Sequence, residues 1–298
     1  MIPSLPRDPW VRVLTALFVA AFLVFLFMPL ATVVVFAFND APYPAPPWQG
    51  FTLDWFTGNA AAGRTGLFGD EELLGSILTS LLVACWVTLL SLLVGTANAF
   101  LMERTQFRGR SVLALLMLFP LVIPGVILGI SILAFASRVA DLLGDVFGWE
   151  ADFLRPGLPL VVLGQLSYLI AIATLTISAR LKRFDRTLEE AARNLGATHA
   201  AVLATITLPY LRPALIGSAA VVFLMSFENF NTTLMLVGAE SPLTVLMYGR
   251  MRDGATPVLN AVSVFLMVAS AVIALLLIRG GDRRPARATP KSSVSLDR

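Results

Sequence analysis

Polar and apolar positions along this chain are not interleaved; they are segregated into long blocks. Between Arg12 and Asp40 lie 27 uncharged residues, and between Glu72 and Glu103 lie 30. Between Arg110 and Arg138 lie 27, and between Arg155 and Arg180 lie 24. The stretch from Arg212 to Glu240 holds 27 residues with one charge, Glu228, and the stretch from Asp253 to Arg279 holds 25. A helix needs roughly 20 apolar residues to cross a bilayer. Barrel strands instead alternate apolar and polar positions over about 10 residues, and these runs do not alternate. In lipid only closed helices or closed barrels satisfy their backbone polar groups. The pattern therefore predicts an all-α integral membrane protein with six transmembrane helices.

The first run, Val13 to Asn39, is too long for the roughly 7–15-residue core of a cleaved signal and is read as a retained helix. The expected organisation is a short N-terminal segment (1–12), a transmembrane domain (13–279) and a basic polar tail (280–298). Composition agrees. Of the 298 residues, 57% are hydrophobic and 14% charged, against about 25% charged in an ordinary soluble domain. That excludes a soluble enzyme, a disordered chain and a nucleic-acid binder. Cys85 is alone, so no intrachain disulfide forms.

Charge then sets orientation. The N-terminal segment, Glu103–Arg110, Arg180–Arg212 and the tail together hold 17 of the 22 basic residues. The opposite set, residues 40–72, 138–155 and 240–253, holds 5 basic and 11 acidic residues. Lys and Arg concentrate in cytoplasmic loops, so both termini are expected in the cytoplasm. The net charge of +3 is accounted for by this asymmetry and by a tail suited to anionic head groups. Trp48 and Trp55, in a proline-rich external segment, are read as interface anchors.

The longest cytoplasmic loop is amphipathic. Leu181, Phe184, Leu188, Ala191, Ala192 and Leu195 recur at helical spacing. Gly196 ends that helix, and a second short helix is expected from Thr198 to Thr205. His199, the one histidine, has no Cys, Asp or Glu at ligand spacing and is read as a solvent-facing residue, not a metal site.

Glu190-Ala191-Ala192, three residues, Gly196, nine residues, Ile206, one residue, Leu208-Pro209 resembles the EAA motif of ABC importer permeases, in the loop where that family carries it. Three further blocks resemble polyamine (spermidine/putrescine) importer permeases. They are Gly50–Phe56, Pro120–Ser131, and Ser226–Asn229 followed by Leu236–Gly238 and Met247–Gly254. Permeases for ferric iron, thiamine and phosphonate share parts of these blocks. The chain departs from the pattern at Glu228-Asn229, where members often carry two acidic residues, and at Gly58–Gly69, which looks inserted.

The resemblance implies a type I importer permease fold whose loop docks into a cleft on a cytoplasmic ATPase. Glu190, Ala191, Ala192 and Gly196 are then coupling residues, with Arg193, Asn194 and Leu195 as neighbouring contacts. It implies a second homologous permease subunit, two ATPase subunits and an external solute-binding protein in a bacterial inner membrane. It also implies a non-catalytic chain with no cofactor of its own, ATP and magnesium belonging to the ATPases. Consistently, no GxxxxGK[ST] phosphate loop occurs. An intramembrane enzyme would need clustered carboxylates or a nucleophile–base set, and the apolar runs offer one Glu.

Polar residues within the apolar runs mark the candidate path. The fifth run carries Ser226, Glu228, Asn229, Asn231, Thr232 and Thr233, and the fourth carries Gln165, Ser167 and Tyr168. If the fifth run is one helix, Asn231 and Thr232 lie three and four residues beyond Glu228 and share its face. Glu228 then either offsets a cationic solute in passage or is a structural carboxylate. Pro120 and Pro124 predict a kink in the third helix. Gly125 and Gly129 form a small-xxx-small face, for packing or for lining the path.

Overall fold

The computed structural model describes residues 9–254 and 256–281. The segment before Pro9 and the expected tail beyond Gly281 lie outside the described residues. The chain is helical, and β pairing among the described residues is limited to isolated bridges, Asn39–Phe51 and Asn59–Arg64.

Helix α1 spans Pro9–Ala37 and a single turn, α2, spans Asp54–Thr57. Helix α3 is Glu71–Arg104, α4 is Arg110–Val122, α5 is Gly125–Phe147 and α6 is Leu158–Leu181. Two short helices follow, α7 over Thr187–Asn194 and α8 over His199–Val202. Then come α9 over Leu208–Phe227, α10 over Asn231–Leu236, α11 over Leu243–Asp253 and α12 over Pro257–Gly281. Five helical stretches are long and apolar enough to cross a membrane: α1, α3, α5, α6 and the continuous run His199–Phe227.

Two expectations are corrected here. The third apolar run is not one kinked helix but two, α4 and α5, separated at Ile123-Pro124. Pro124 lacks an N–H to continue the ladder, and it holds the residue before it in an extended conformation. Ile123 accordingly has φ −76° and ψ 130°. The second loop helix is also not a separate element ending at Thr205. It runs through a π-helical turn, Leu203–Thr207, directly into α9.

Helix α6 is the hub. It packs against α3, α4, α9 and α10, and Leu160, Val161, Leu169 and Ala173 on it meet Val83 and Val87 of α3, Val222 of α9 and Leu236 of α10. A smaller apolar cluster of Ala99, Ile177, Leu181, Phe184 and Leu211 closes the end that carries the basic loops. At the opposite, acidic end, Trp55, Leu67, Leu73, Leu243, Val258, Ala261 and Val262 form a third cluster.

That third cluster gives the proline-rich segment a fold. Trp55 is buried rather than anchored at an interface, and its Nε1 donates to the Asn39 carbonyl at 2.8 Å. Arg64, inside the stretch that looks inserted, bonds Asp40 Oδ1 at 2.5 Å and Asp54 Oδ2 at 3.3 Å, with its guanidinium 4.6 Å above the Trp55 ring. Trp48 stays exposed. On the same end, Arg250 of α11 forks onto Asp70, donating to both carboxylate oxygens, and reaches Glu72 Oε2 at 2.6 Å. Asp70 also caps α3, accepting from Leu73 N at 3.0 Å.

Candidate functional site

Two places carry the polar residues singled out in the sequence: the loop at the basic end and a cavity beside α6. The loop begins with a local turn. Asp185 accepts from Thr187 N at 3.0 Å and Thr187 Oγ1 at 2.8 Å, and the backbone bond first, then the hydroxyl, holds its carboxyl below the ordinary value. Helix α7 follows. It ends because Gly196 takes φ +90°, with Gly196 N bonded to Arg193 O and Ala197 N to Ala192 O. A Cβ built at Gly196 meets nothing within 4 Å. The requirement for glycine is therefore conformational, not steric crowding. Thr198 Oγ1 then accepts from Ala201 N and starts α8.

Glu190, Ala191, Arg193, Asn194, Leu195 and Gly196 are all exposed, and Ala192 is half-buried. Leu195 is 89% exposed, a large apolar side chain with no cover from this chain. His199 is exposed as well. The residue the sequence reading passed over is Glu189. Its Oε1 receives Arg104 Nη2 at 2.9 Å and Thr207 Oγ1 at 2.6 Å. The available signal was its place one step before Glu190. On a helix with 3.6 residues per turn that step turns the side chain by about 100°.

The cavity, of about 420 Å³, lies where two helices are broken. One wall is the α4–α5 junction, with Pro120, Leu121, Ile123, Gly125 and Leu128; the other is the α9–α10 junction, with Met225 and Glu228 to Thr232. Tyr168 of α6 completes it. Of the candidate path residues, Tyr168, Glu228, Asn231 and Thr232 meet at this cavity and Gln165 does not. Helix α9 ends at Phe227, Glu228 is its C-cap residue, and Asn231 opens α10. The expected shared face on one helix does not exist. Polar side chains at Ser226, Asn229 and Thr233 offer hydrogen bonds that compete with a continuous ladder. At the end of a 20-residue helix, Glu228 is exposed to the cavity. Among the described residues nothing forms an ion pair with it.

Gln165 is not a lining residue. It is 1% exposed, its Nε2 donating to Thr233 Oγ1 at 3.0 Å and its Oε1 accepting from Ser226 Oγ at 2.5 Å. It thereby bridges the break between α9 and α10. Asn229 works from the other side. Its Nδ2 donates to Tyr168 Oη at 2.7 Å, its Oδ1 accepts from Thr233 N and Oγ1, and its carbonyl accepts from Thr244 Oγ1 at 2.9 Å. The break is thus fixed in place by α6 and α11, and it presents the carboxylate of Glu228 to the cavity.

Residues 91–281 match the family model for the inner membrane component of binding-protein-dependent transport systems. The chain belongs to that family. This permease is 29% identical to the putrescine transport system permease protein PotI of Escherichia coli over 91% of its own length and 90% of that protein's. It is 25% identical to the spermidine/putrescine transport system permease protein PotC of Haemophilus influenzae, covering 85% of this chain and 90% of the relative. In fold it is similar to a chain of a bacterial ABC transporter that imports the acidic polysaccharide alginate. The TM-score is 0.74 at 20% identity, over 92% of this permease and 95% of that chain. The permease is therefore an inner membrane component of a binding-protein-dependent transport system.

Proposed function

We propose that this permease forms half of the membrane pathway for a polyamine such as putrescine or spermidine. The relatives that cover nine-tenths of the chain are named for those solutes. The observation that carries the reading to this chain is the cavity itself. Of its twelve lining residues Glu228 is the one with a charge, and that charge is negative. A carboxylate facing lipid would cost at least roughly 2.5 kcal/mol, whereas in a cavity it meets an ammonium group directly. Asn231 and Tyr168 supply neutral hydrogen-bonding groups beside it, while the Thr232 hydroxyl is buried and donates to the Gly125 carbonyl at 3.3 Å. One carboxylate on a flexible polycation gives a weak, transient site, which suits passage better than retention.

The other half of the path comes from a second, homologous permease subunit. The exposed side of α7, with Glu190, Ala191, Arg193, Asn194 and the uncovered Leu195, docks into one of two cytoplasmic ATPase subunits. Gly196 lets α7 and α8 cross there. ATP and magnesium bind on those ATPases, and an external binding protein delivers the solute. The 17 basic residues of the loop-bearing side support a cytoplasmic location for that side and for both termini.

The test is uptake of labelled putrescine by proteoliposomes containing the complex purified through this chain. Wild-type complex brings down an ATPase and takes up putrescine. Glu228→Gln keeps assembly and basal ATP hydrolysis. A hydrogen bond to a charged group is worth about 1.5–3 kcal/mol, so uptake should fall roughly tenfold or more. Uptake at the wild-type rate by Glu228→Gln, with assembly lost in Glu228→Leu, would make the residue structural and sink the cation-path reading.

A further inference from the structure

We propose that Glu189 is a positioning residue that locks α7 to the membrane helices, and that Arg104–Glu189–Thr207 carries the loop's displacement to α3 and α9. The inference rests on residues 187–207 being the ATPase-docking loop. The neighbouring carboxylates of α7 divide the work. Glu190 is exposed toward the docking side, while the Glu189 side chain is 15% exposed and turned to the membrane core. One oxygen of Glu189 joins three elements: the last turn of α3 through Arg104, the first turn of α7, and the entry to α9 through Thr207, itself 1% exposed.

Arg104 is held for this role from behind. Its guanidinium lies 5.4 Å from the centroid of the Phe184 ring, and Phe184 is buried with Ala99, Ile177 and Leu211. A cation over an aromatic face is attracted by the ring quadrupole. The remaining ion pairs of this corner, Glu103 with Lys182 at 3.6 Å and with Arg110 at 3.7 Å, have exposed basic partners. Exposed pairs of that kind contribute little.

The π-helical turn makes the lock necessary. Between α8 and α9 the backbone passes through Leu203–Thr207 with i→i+5 bonding, a wider turn that often marks a functional position. Motion of α7 reaching α9 only through α8 and this turn would be absorbed there. The bond from Thr207, the last residue of the turn, to Glu189 bypasses it. Coupling energy needs such a physically connected element.

The test uses the assembled complex, purified through this chain in a Cys85→Ser background. Leu121→Cys, on the cavity wall, reports by its labelling rate with a maleimide. Three quantities are read: ATPase content, basal hydrolysis, and the change in labelling on adding ATP. Glu189→Gln should keep the first two and reduce the ATP-dependent change roughly tenfold, within the usual range of coupling effects. The exchanged pair, Arg104→Glu with Glu189→Arg, should restore it. An unchanged response in Glu189→Gln, loss of the ATPase from that variant, or no rescue by the exchanged pair each overturns the proposal. Absence of any ATPase from the unmutated complex overturns the docking-loop reading beneath it.

Discussion

Asp70 shows how much one side chain holds at the acidic end. Hydrogen bonding from Arg250 is the largest influence on it and, with the Leu73 N–H, keeps its carboxyl below the ordinary value of 3.8 despite partial burial. The same pairing raises the Arg250 guanidinium above its usual range. A carboxyl whose folded value is depressed stabilises the fold fully above its unfolded value, and that contribution disappears as pH falls through the folded one. Melting of the detergent-solubilised permease should therefore be insensitive to this pair at neutral pH. Its melting temperature should drop below about pH 3.8, where α11 loses its hold on α3. Asp70→Asn separates the two duties of the residue, because asparagine caps a helix as well as aspartate does. It should lower the melting temperature at neutral pH and flatten the acid limb. An unchanged acid limb would mean that other carboxylates govern it.

At the scale of elements, the cavity depends on how closely α5 approaches α10. A Cβ at Gly129 would meet the Met235 Cβ at 2.9 Å and the Thr232 carbonyl at 3.1 Å, and one at Gly125 would meet the Asn231 Cβ at 3.1 Å. The small-residue face read from the sequence thus packs on the short helix that carries Asn231 and Thr232. Gly129→Leu should displace α10 and destabilise the chain by about 1–3 kcal/mol, the usual cost of overpacking. A thermal melt together with putrescine uptake checks this, and Gly129→Ala should fall between the two. The membrane-helix class was legible because an unbroken apolar run leaves the backbone no other way to bond in lipid; against the six spans expected, five stretches among the described residues are long and apolar enough to cross. The breaks were less so. Pro124 announced the first. The second falls at Glu228–Phe230 inside an apolar run, held by bonds that Ser226 and Asn229 donate to Gln165 and Tyr168 some sixty residues earlier in the chain, contacts no local pattern encodes. Glu189 was hidden for the same reason, since its partners Arg104 and Thr207 come from other elements.

For the whole molecule, the division into a basic and an acidic end is the strongest prediction that charge alone makes. A cysteine at Ala61 should react with an impermeant thiol reagent added outside intact cells, in a Cys85→Ser background. One at Ala200 should react only after the membrane is opened. Both positions are exposed, so access rather than burial decides the result. The reverse pattern would invert the permease in the membrane and move the docking loop away from any cytoplasmic ATPase. The acidic end also carries a folded extramembrane segment, around Trp55 and Arg64. Its proline-rich sequence was read only as an external segment with interface anchors, because residue composition does not reveal that Arg64 reaches back to Asp40 and Asp54.

Helix α1 packs chiefly on α12, the last of the described helices, and most of its surface is uncovered by the rest of the described fold. About 220 residues separate Ala37 from Pro257, roughly 10–45 s of synthesis at ~5–20 residues per second. During that interval α1 sits in the bilayer with no long-term neighbour from its own chain. Its composition suits such a wait: apolar on every side, with no charged residue after Arg12. A helix made early thus gains its main partner only when the last described helix emerges.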